Sequence, residues 1–456
     1  MDSGVARLAG ARAKVRGPML ALYLLACDPG EAGDFEITVV RSEVVPTVFT
    51  VTWTSEEAGL GWVEFGPDVE YGRVTATDTE EGTEHRIVVA GVPAASVWHL
   101  RAVTESAGVQ LASDDVEIES GAASPSLPTF TATGKRDHGG NLIAPVFSDH
   151  PFVLGLDGEG RFTWWWEGES NDVYTRARLS LDARAIVFNR FDEDRSIDRG
   201  AIYRVSLDGT EVSEIPAELS HHDFVELPEG GYAYLKIDVR EYGDERTVVG
   251  DSLVEIDETG ALVTEVWNAW DAWTPPDDLS LGFYPQGEDW LHCNTLEYDA
   301  DRGVYLVSVR NESMVMEIDR ATGELLWTMG GDDSSLALTS GTAFEHQHAP
   351  LRDEKGMFVF DNRDGDARSY VRHYAVDQDA GTYTEDWTFD GPEGNWVALL
   401  GDVIPYDDGG KLLAWGTAGF INEIDAQGNQ SWRADAEFGH IIGFLDSVDS
   451  LGGPAE

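Results

Sequence analysis

Residues 315–327 read VMEIDRATGELLW: an apolar run, an aspartate, a short turn containing glycine, then a strand closing on tryptophan. The phrase recurs as VLGLDGEGRFTWWW (153–166), YRVSLDGTEVSEI (203–215), LVEIDETGALVTEVW (253–267), HYAVDQDAGTYTEDW (373–387) and INEIDAQGNQSW (421–432). Its aspartates, Asp157, Asp208, Asp257, Asp319, Asp377 and Asp425, are spaced by 51, 49, 62, 58 and 48 residues. Asp and Gly shape a hairpin loop, and the flanking residues alternate as strands do. Between copies lies a second apolar hairpin: FVELPEGGYAYL, TLEYDADRGVYLVSV, PLRDEKGMFVFDN and VIPYDDGGKLLAWG. Two hairpins per cycle make four strands, and a period near 50 matches one propeller blade. Six cycles predict an all-β, six-bladed β-propeller, closed radially so that few strand edges are exposed. The tryptophans are expected between neighbouring blades. A parallel β-helix has far shorter rungs.

Outward from the repeat, residues 35–120 carry period-two strands (ITVV, TVFTVTW, GWVEFG, HRIVVAGV, VWHLRAV, VEIES), which predict a small β-sandwich. The run GVPAASVWHLRAV resembles a fibronectin type III domain, with Trp98 in the place of the usual corner tyrosine. His85 and His99 stand alone there and read as ordinary strand residues, so this domain is expected to act as a spacer or docking module. A Ser/Pro-rich joint, residues 121–128, leads into the propeller at 129–456, and residues 28–34 form a short acidic linker. Residues 1–27 read as an export signal. Arg7, Arg12, Lys14 and Arg16 precede the apolar Met19–Leu25, and Leu24-Leu25-Ala26-Cys27 resembles a bacterial lipobox. Lipidation of Cys27 would anchor the exported chain in the periplasm or at the cell surface, leaving Cys293 with no disulfide partner.

The 456 residues can bury a large core. Acidic residues outnumber basic ones 84 to 31, for a formal charge of −53. Such a surface repels nucleic acid and anionic lipid, so the expected membrane contact is the N-terminal lipid alone. It also makes a cluster of His and Arg conspicuous.

Three polar triplets stand just ahead of the second hairpins: His221-His222-Asp223, His292-Cys293-Asn294 and His346-Gln347-His348. His222 and His348 each precede a hairpin glycine (Gly230, Gly356) by eight residues, and Asn294 precedes Gly303 by nine. Matching positions of different blades converge on the axis. Arg310 follows the strand after Asn294 and can lean into the same channel. Guanidinium forks and imidazoles together suit a tetrahedral oxyanion, and imidazole can also attack or carry a proton. Zinc is a poor fit beside a permanent cation, so neither metal nor cofactor is expected.

HHDFVELPEGG, DWLHCNTLEYD, VSVRNESMVMEIDRATGELLWTMGG and HQHAPLRDEKGMFVFDN resemble, in order, motifs of the bacterial arylsulfate sulfotransferases, over most of residues 125–435. The DW-x-H-x-N … S-x-R … D-x-x-TG-x-x-W string is the most distinctive. The resemblance implies an exported six-bladed propeller behind a small sandwich. It implies transfer of a sulfuryl group from an aryl sulfate ester to a phenol through a sulfohistidine, without a nucleotide sulfate donor. It makes His348 the nucleophile. His222, His292 and Arg310 hold the sulfuryl oxygens and neutralise charge on the leaving phenolate, and Asn294 donates a hydrogen bond. His346 and His348 face the same way on a strand; His348 is preferred because its spacing matches that of His222, for which His221 is a possible substitute. Arg363, Arg368, Arg372 and His440 receive no role.

Two other classes compete. The TG-x-LLW phrase also occurs in quinoprotein-like repeats, which would make the chain a non-catalytic, lipid-anchored scaffold or binding protein. A metal- or quinone-dependent oxidoreductase would need further carboxylates or amides around the channel, and no coherent set is evident. The aromatic stretch 266–286 reads equally as an apolar wall for an aryl group and as a packed loop.

Overall fold

The computed structural model describes residues 31–33, 35–147, 150–192, 199–243, 246–279, 283–363, 367–392, 394, 396–437 and 439–452. The signal and lipobox expected at 1–27, Cys27 included, lie outside them.

Six antiparallel sheets follow one another around an axis, and each repeat aspartate sits between the third and fourth strands of its sheet. The reason the phrase repeats is visible in the turns. In all six, the aspartate Oδ1 accepts from backbone N–H groups two to four residues on: Glu159, Thr210, Thr259, Thr322, Ala380 and Gln427, at 2.8–3.1 Å. The turn glycine (Gly160, Gly209, Gly260, Gly323, Gly381, Gly428) takes φ between 67° and 85°, a region that excludes most side chains. The large residue that ends the phrase packs on the following blade. Trp164 Nε1 donates to Leu207 O at 3.0 Å, Trp267 packs with Leu296 and Tyr305, and Trp327 packs with Met357 and Val359. Ile215 does the same against Phe224 and Tyr232, where the second copy lacks tryptophan.

Ring closure uses both ends of the propeller. Phe130–Gly134 pairs with Gln430–Ala436 as the outer strand of the last blade. Ile441–Ile442 and Asp446–Val448 pair with Asn141–Phe147 as the inner strand of the first. Across the first closure Arg136 Nε meets Glu423 Oε2 at 3.2 Å, both side chains buried, while Glu423 Oε1 accepts from Asp137 N at 2.7 Å.

Ahead of the propeller, one strand of 18 residues, Phe49–Gly66, bends at a register shift between Thr54 and Gly59. Its first half pairs with Ile37–Arg41 and Gly82–Val89, its second with Val97–Ser106 and Arg73–Val74. The two halves enclose one core around Val51, Trp53, Val63, Phe65, Trp98 and Leu100. Residues read as a linker from sequence contribute a short strand, Glu31–Ala32, parallel to Leu111–Ala112. His85 sits against Asp78 (Nδ1 to Oδ2, 2.6 Å) and Ser55 (Nε2 to Oγ, 3.1 Å). The Ser55 hydroxyl donates to Glu57 O at 2.7 Å, which directs its proton away from the imidazole.

Candidate functional site

The third, fourth and fifth blades each begin with an irregular inner strand. Register shifts fall between His221 and Phe224, between Cys293 and Thr295, and between His348 and Leu351. A bulge adds residues without adding ladder pairs and re-aims side chains toward the axis. The backbone is left-handed at His222 inside the first bulge and at His292 and His346 just ahead of the other two strands, with φ of 49°, 55° and 51°, values that are unusual for histidine.

These bulges also correct the spacing argument. Counting back from the hairpin glycine matches His348 with His222, but the ladder matches it with His221. His221 faces Leu235 and His348 faces Phe360. Two residues before and one residue after each, the backbone is left-handed in both blades: Leu219 (56°) and His222 (49°), then His346 (51°) and Ala349 (47°). His222 is therefore the bulged neighbour of the residue equivalent to His348. The third blade carries one more residue in its hairpin loop than the fifth and one more in its bulge.

A cavity of about 420 Å³ opens at this end of the axis, lined by His292, Arg310 and His346 with Asp289, Phe283 and Glu312. His222 and His348 lie behind that wall, 7% and 2% exposed. The ring of His222 is 4.8 Å from that of His292 and meets it edge-on. Arg310, His292 and His346 all act electrostatically on His348. Burial pushes the pKa of His348 down to about 3, the Asn362 hydrogen bond opposes this in part, and the charge of Arg310 adds to the depression. The imidazole is thus neutral at neutral pH.

Three of the imidazoles, those of His348, His292 and His222, are held at Nδ1. His348 Nδ1 is 2.7 Å from Asn362 Oδ1, and His292 Nδ1 is 2.7 Å from Asp289 Oδ2. His222 Nδ1 is 2.9 Å from His221 Nδ1, which also lies 3.1 Å from the Tyr284 hydroxyl. His221 Nε2 comes within 2.9 Å of Asp251 Oδ1, at ion-pair distance though without hydrogen-bond alignment. His221 therefore supports His222 rather than facing the cavity. Asn294 donates from Nδ2 to Gln347 O at 2.8 Å and so fixes the residue before His348. Gln347 itself donates to Ser308, Val309 O and Met314 O, tying the fifth blade to the fourth.

A buried cation is ion-paired to the residue after His222. Arg176 makes a double hydrogen bond to Asp223, 2.8 Å on each oxygen, with Glu297 and Asp402 at 3.6 and 3.7 Å and the Phe444 ring 4.3 Å away. Burial alone would lower its pKa, yet Asp223 and its neighbours raise it. Thr175 and Asn189 bond the carbonyl of His222, so the residues around Arg176 also hold the backbone of the histidine layer. Sequence reading missed Arg176, Asp289 and Asn362. The first two lay outside the triplets, although Asp289 stands three residues before His292, a visible Asp–His spacing.

The unassigned arginines resolve as structural. Arg372 bonds Asp361 and Glu385, Arg363 bonds Asp361, and Arg368 is 3.7 Å from Asp390. The aromatic stretch divides. Trp267 packs on Trp273, and Trp270 on Trp290, within the blade core, whereas Phe283 and Tyr284 each place a ring 5.3 Å from His292.

A sequence model described as arylsulfotransferase (ASST) matches residues 136–437, two thirds of the chain. An arylsulfate sulfotransferase of Escherichia coli is 22% identical over 405 residues, covering 65% of this chain and 67% of that protein. One of Lelliottia amnigena is 22% identical over 326 residues, covering 60% of this chain but 53% of its own length. A solved Bacteroides caccae protein of unknown function is 16% identical, covering 67% of this chain and 98% of that one, at a TM-score of 0.39, too distant to support inference.

Proposed function

The chain belongs to the arylsulfotransferase family, and as an aryl-sulfate sulfotransferase of that family we propose that it works by double displacement through a sulfohistidine on His348. The observation that carries this reading is the meeting of three adjacent blades at one cavity, lined by His292, Arg310 and His346, with His222 and His348 buried beside them. A nucleophile for sulfur must offer a neutral lone pair, which His348 does, buried and uncharged, with Nδ1 engaged. Arg310 and the neighbouring imidazoles supply donors for charge that builds on the sulfuryl oxygens and the departing phenolate. Phe283 and Tyr284 offer the donor ring an apolar edge beside His292. The natural donor is taken to be an aryl sulfate and the acceptor a phenol. Export with a lipid on Cys27, in the periplasm or at the cell surface, belongs to the same proposal.

Incubation with 4-nitrophenyl sulfate and no acceptor tests it. A burst of nitrophenolate should accompany a sulfuryl-sized, acid-labile mass gain on the peptide bearing His348, and phenol should discharge it. The same gain on His346 would move the nucleophile two residues. Neither burst nor mass gain would sink the mechanism.

A further inference from the structure

The histidines around the cavity differ chiefly in what holds their second nitrogen, and a histidine's protonation follows that partner. The Asn362 amide donates from Nδ2 to Val397 O (2.9 Å) and to Leu400 O (2.7 Å), which settles its orientation. Its Oδ1 must then accept at 2.7 Å from His348, so the His348 proton sits on Nδ1 and the lone pair on Nε2. His292 instead faces the Asp289 carboxylate, 93% buried. Burial would raise the Asp289 pKa, but the hydrogen bond and charge of His292 hold it low, so a carboxylate backs the ring. His222 Nδ1 meets a third kind of partner, the Nδ1 of His221 at 2.9 Å.

We propose that Asp289 and Asn362 are positioning residues that assign the two histidines opposite tasks, Asn362 presenting His348 as the attacking lone pair and Asp289 making His292 the proton donor to the leaving phenolate. This rests on the double-displacement reading above. In the first half-reaction His348 Nε2 bonds to sulfur as the aryl oxygen–sulfur bond breaks. The bonding pair goes to the phenolate oxygen, which takes the Nε2 proton of His292. The sulfated ring keeps its Nδ1 proton on Asn362. In the second half, neutral His292 removes the acceptor's hydroxyl proton, the acceptor oxygen bonds to sulfur, and the nitrogen–sulfur pair returns to His348. Burial keeps the resting His348 ring uncharged, and Arg310, His292 and His346 act in the same direction.

Donors of different leaving-group basicity read the assignment directly. In Asp289→Asn, the burst with phenyl sulfate, whose phenolate needs a proton, should slow on the order of 100-fold or more, while 4-nitrophenyl sulfate loses less than about 10-fold. Asp289→Glu should recover part of the phenyl sulfate rate. Asn362→Ala, which frees the His348 tautomer, should slow the burst about 10-fold with both donors at unchanged donor affinity. Equal losses with both donors in Asp289→Asn, or weakened affinity without a slower burst in Asn362→Ala, would overturn the proposal, melting curves confirming that each variant is folded. A wild-type chain without a burst overturns the parent mechanism as well, whereas a wild-type burst with an unaltered donor dependence in Asp289→Asn overturns this proposal alone.

Discussion

His348 carries a thermodynamic signature as well as a chemical one. Its pKa falls from an ordinary 6.5 to about 3 on folding, because the ring is buried beside Arg310. Between those values the unfolded chain binds a proton that the folded chain refuses. Its contribution is therefore complete above pH 6.5 and is lost as the pH falls toward 3. Urea titrations should show the stability of wild type relative to His348→Gln to be constant above pH 6.5 and to shrink steadily on acidification through that window. A difference that stays flat would mean that the ring protonates freely. The long acidic composition cancels in this comparison, since both chains share it.

Among the elements, the closure of the ring is the most exposed to single changes. The strand Phe130–Gly134 is held to the last blade by its ladder and by the buried pair Arg136–Glu423. Glu423 also accepts from two backbone N–H groups, those of Asp137 and His138. Removing one member of a buried pair strands the other's charge without its partner. Glu423→Ala should cost about 3–5 kcal/mol in chemical denaturation, and Arg136→Met with Glu423→Leu together should cost less than Glu423→Ala alone. Additive losses would show that the pair is solvated. The bulged inner strands belong to this scale too: left-handed residues within or just ahead of them, His222, His292 and His346, shape the site.

The whole molecule carries a formal charge of −53, and the donor in the proposed reaction is an anion. Asp278 and Glu312 line the cavity mouth, and burial together with Asp333, Asp332 and Asp278 raises the pKa of Glu312. Like charges at this density oppose both compaction and the approach of an aryl sulfate, and salt screens them with a length of about 10 Å at 0.1 M. Raising NaCl from about 0.1 to 1 M should therefore raise both the melting temperature and kcat/KM for an aryl sulfate donor. A kcat/KM that falls with salt would mean that Arg310 and the histidines govern the approach from a distance.

The repeat was legible because turn chemistry is local. An aspartate accepting from N–H groups a few residues on, a glycine at positive φ and a tryptophan at fixed offset recur wherever the same turn recurs, so the period, the strand count and the six blades follow from reading along the chain. The expectation that His222, His348 and Asn294 approach one another follows from the same period, with Arg310 added from the strand that follows Asn294. Three things were not legible. The bulges shift the ladder by one residue and pair His348 with His221 in register, because a strand can absorb an extra residue without changing its composition. The two ends of the propeller trade strands to close the ring, a long-range pairing with no local mark. Finally, Asn362, Asp289 and Arg176 acquire their partners only through packing. A histidine's proton is placed by whatever the fold puts against its other nitrogen, and here only the tertiary structure decided that.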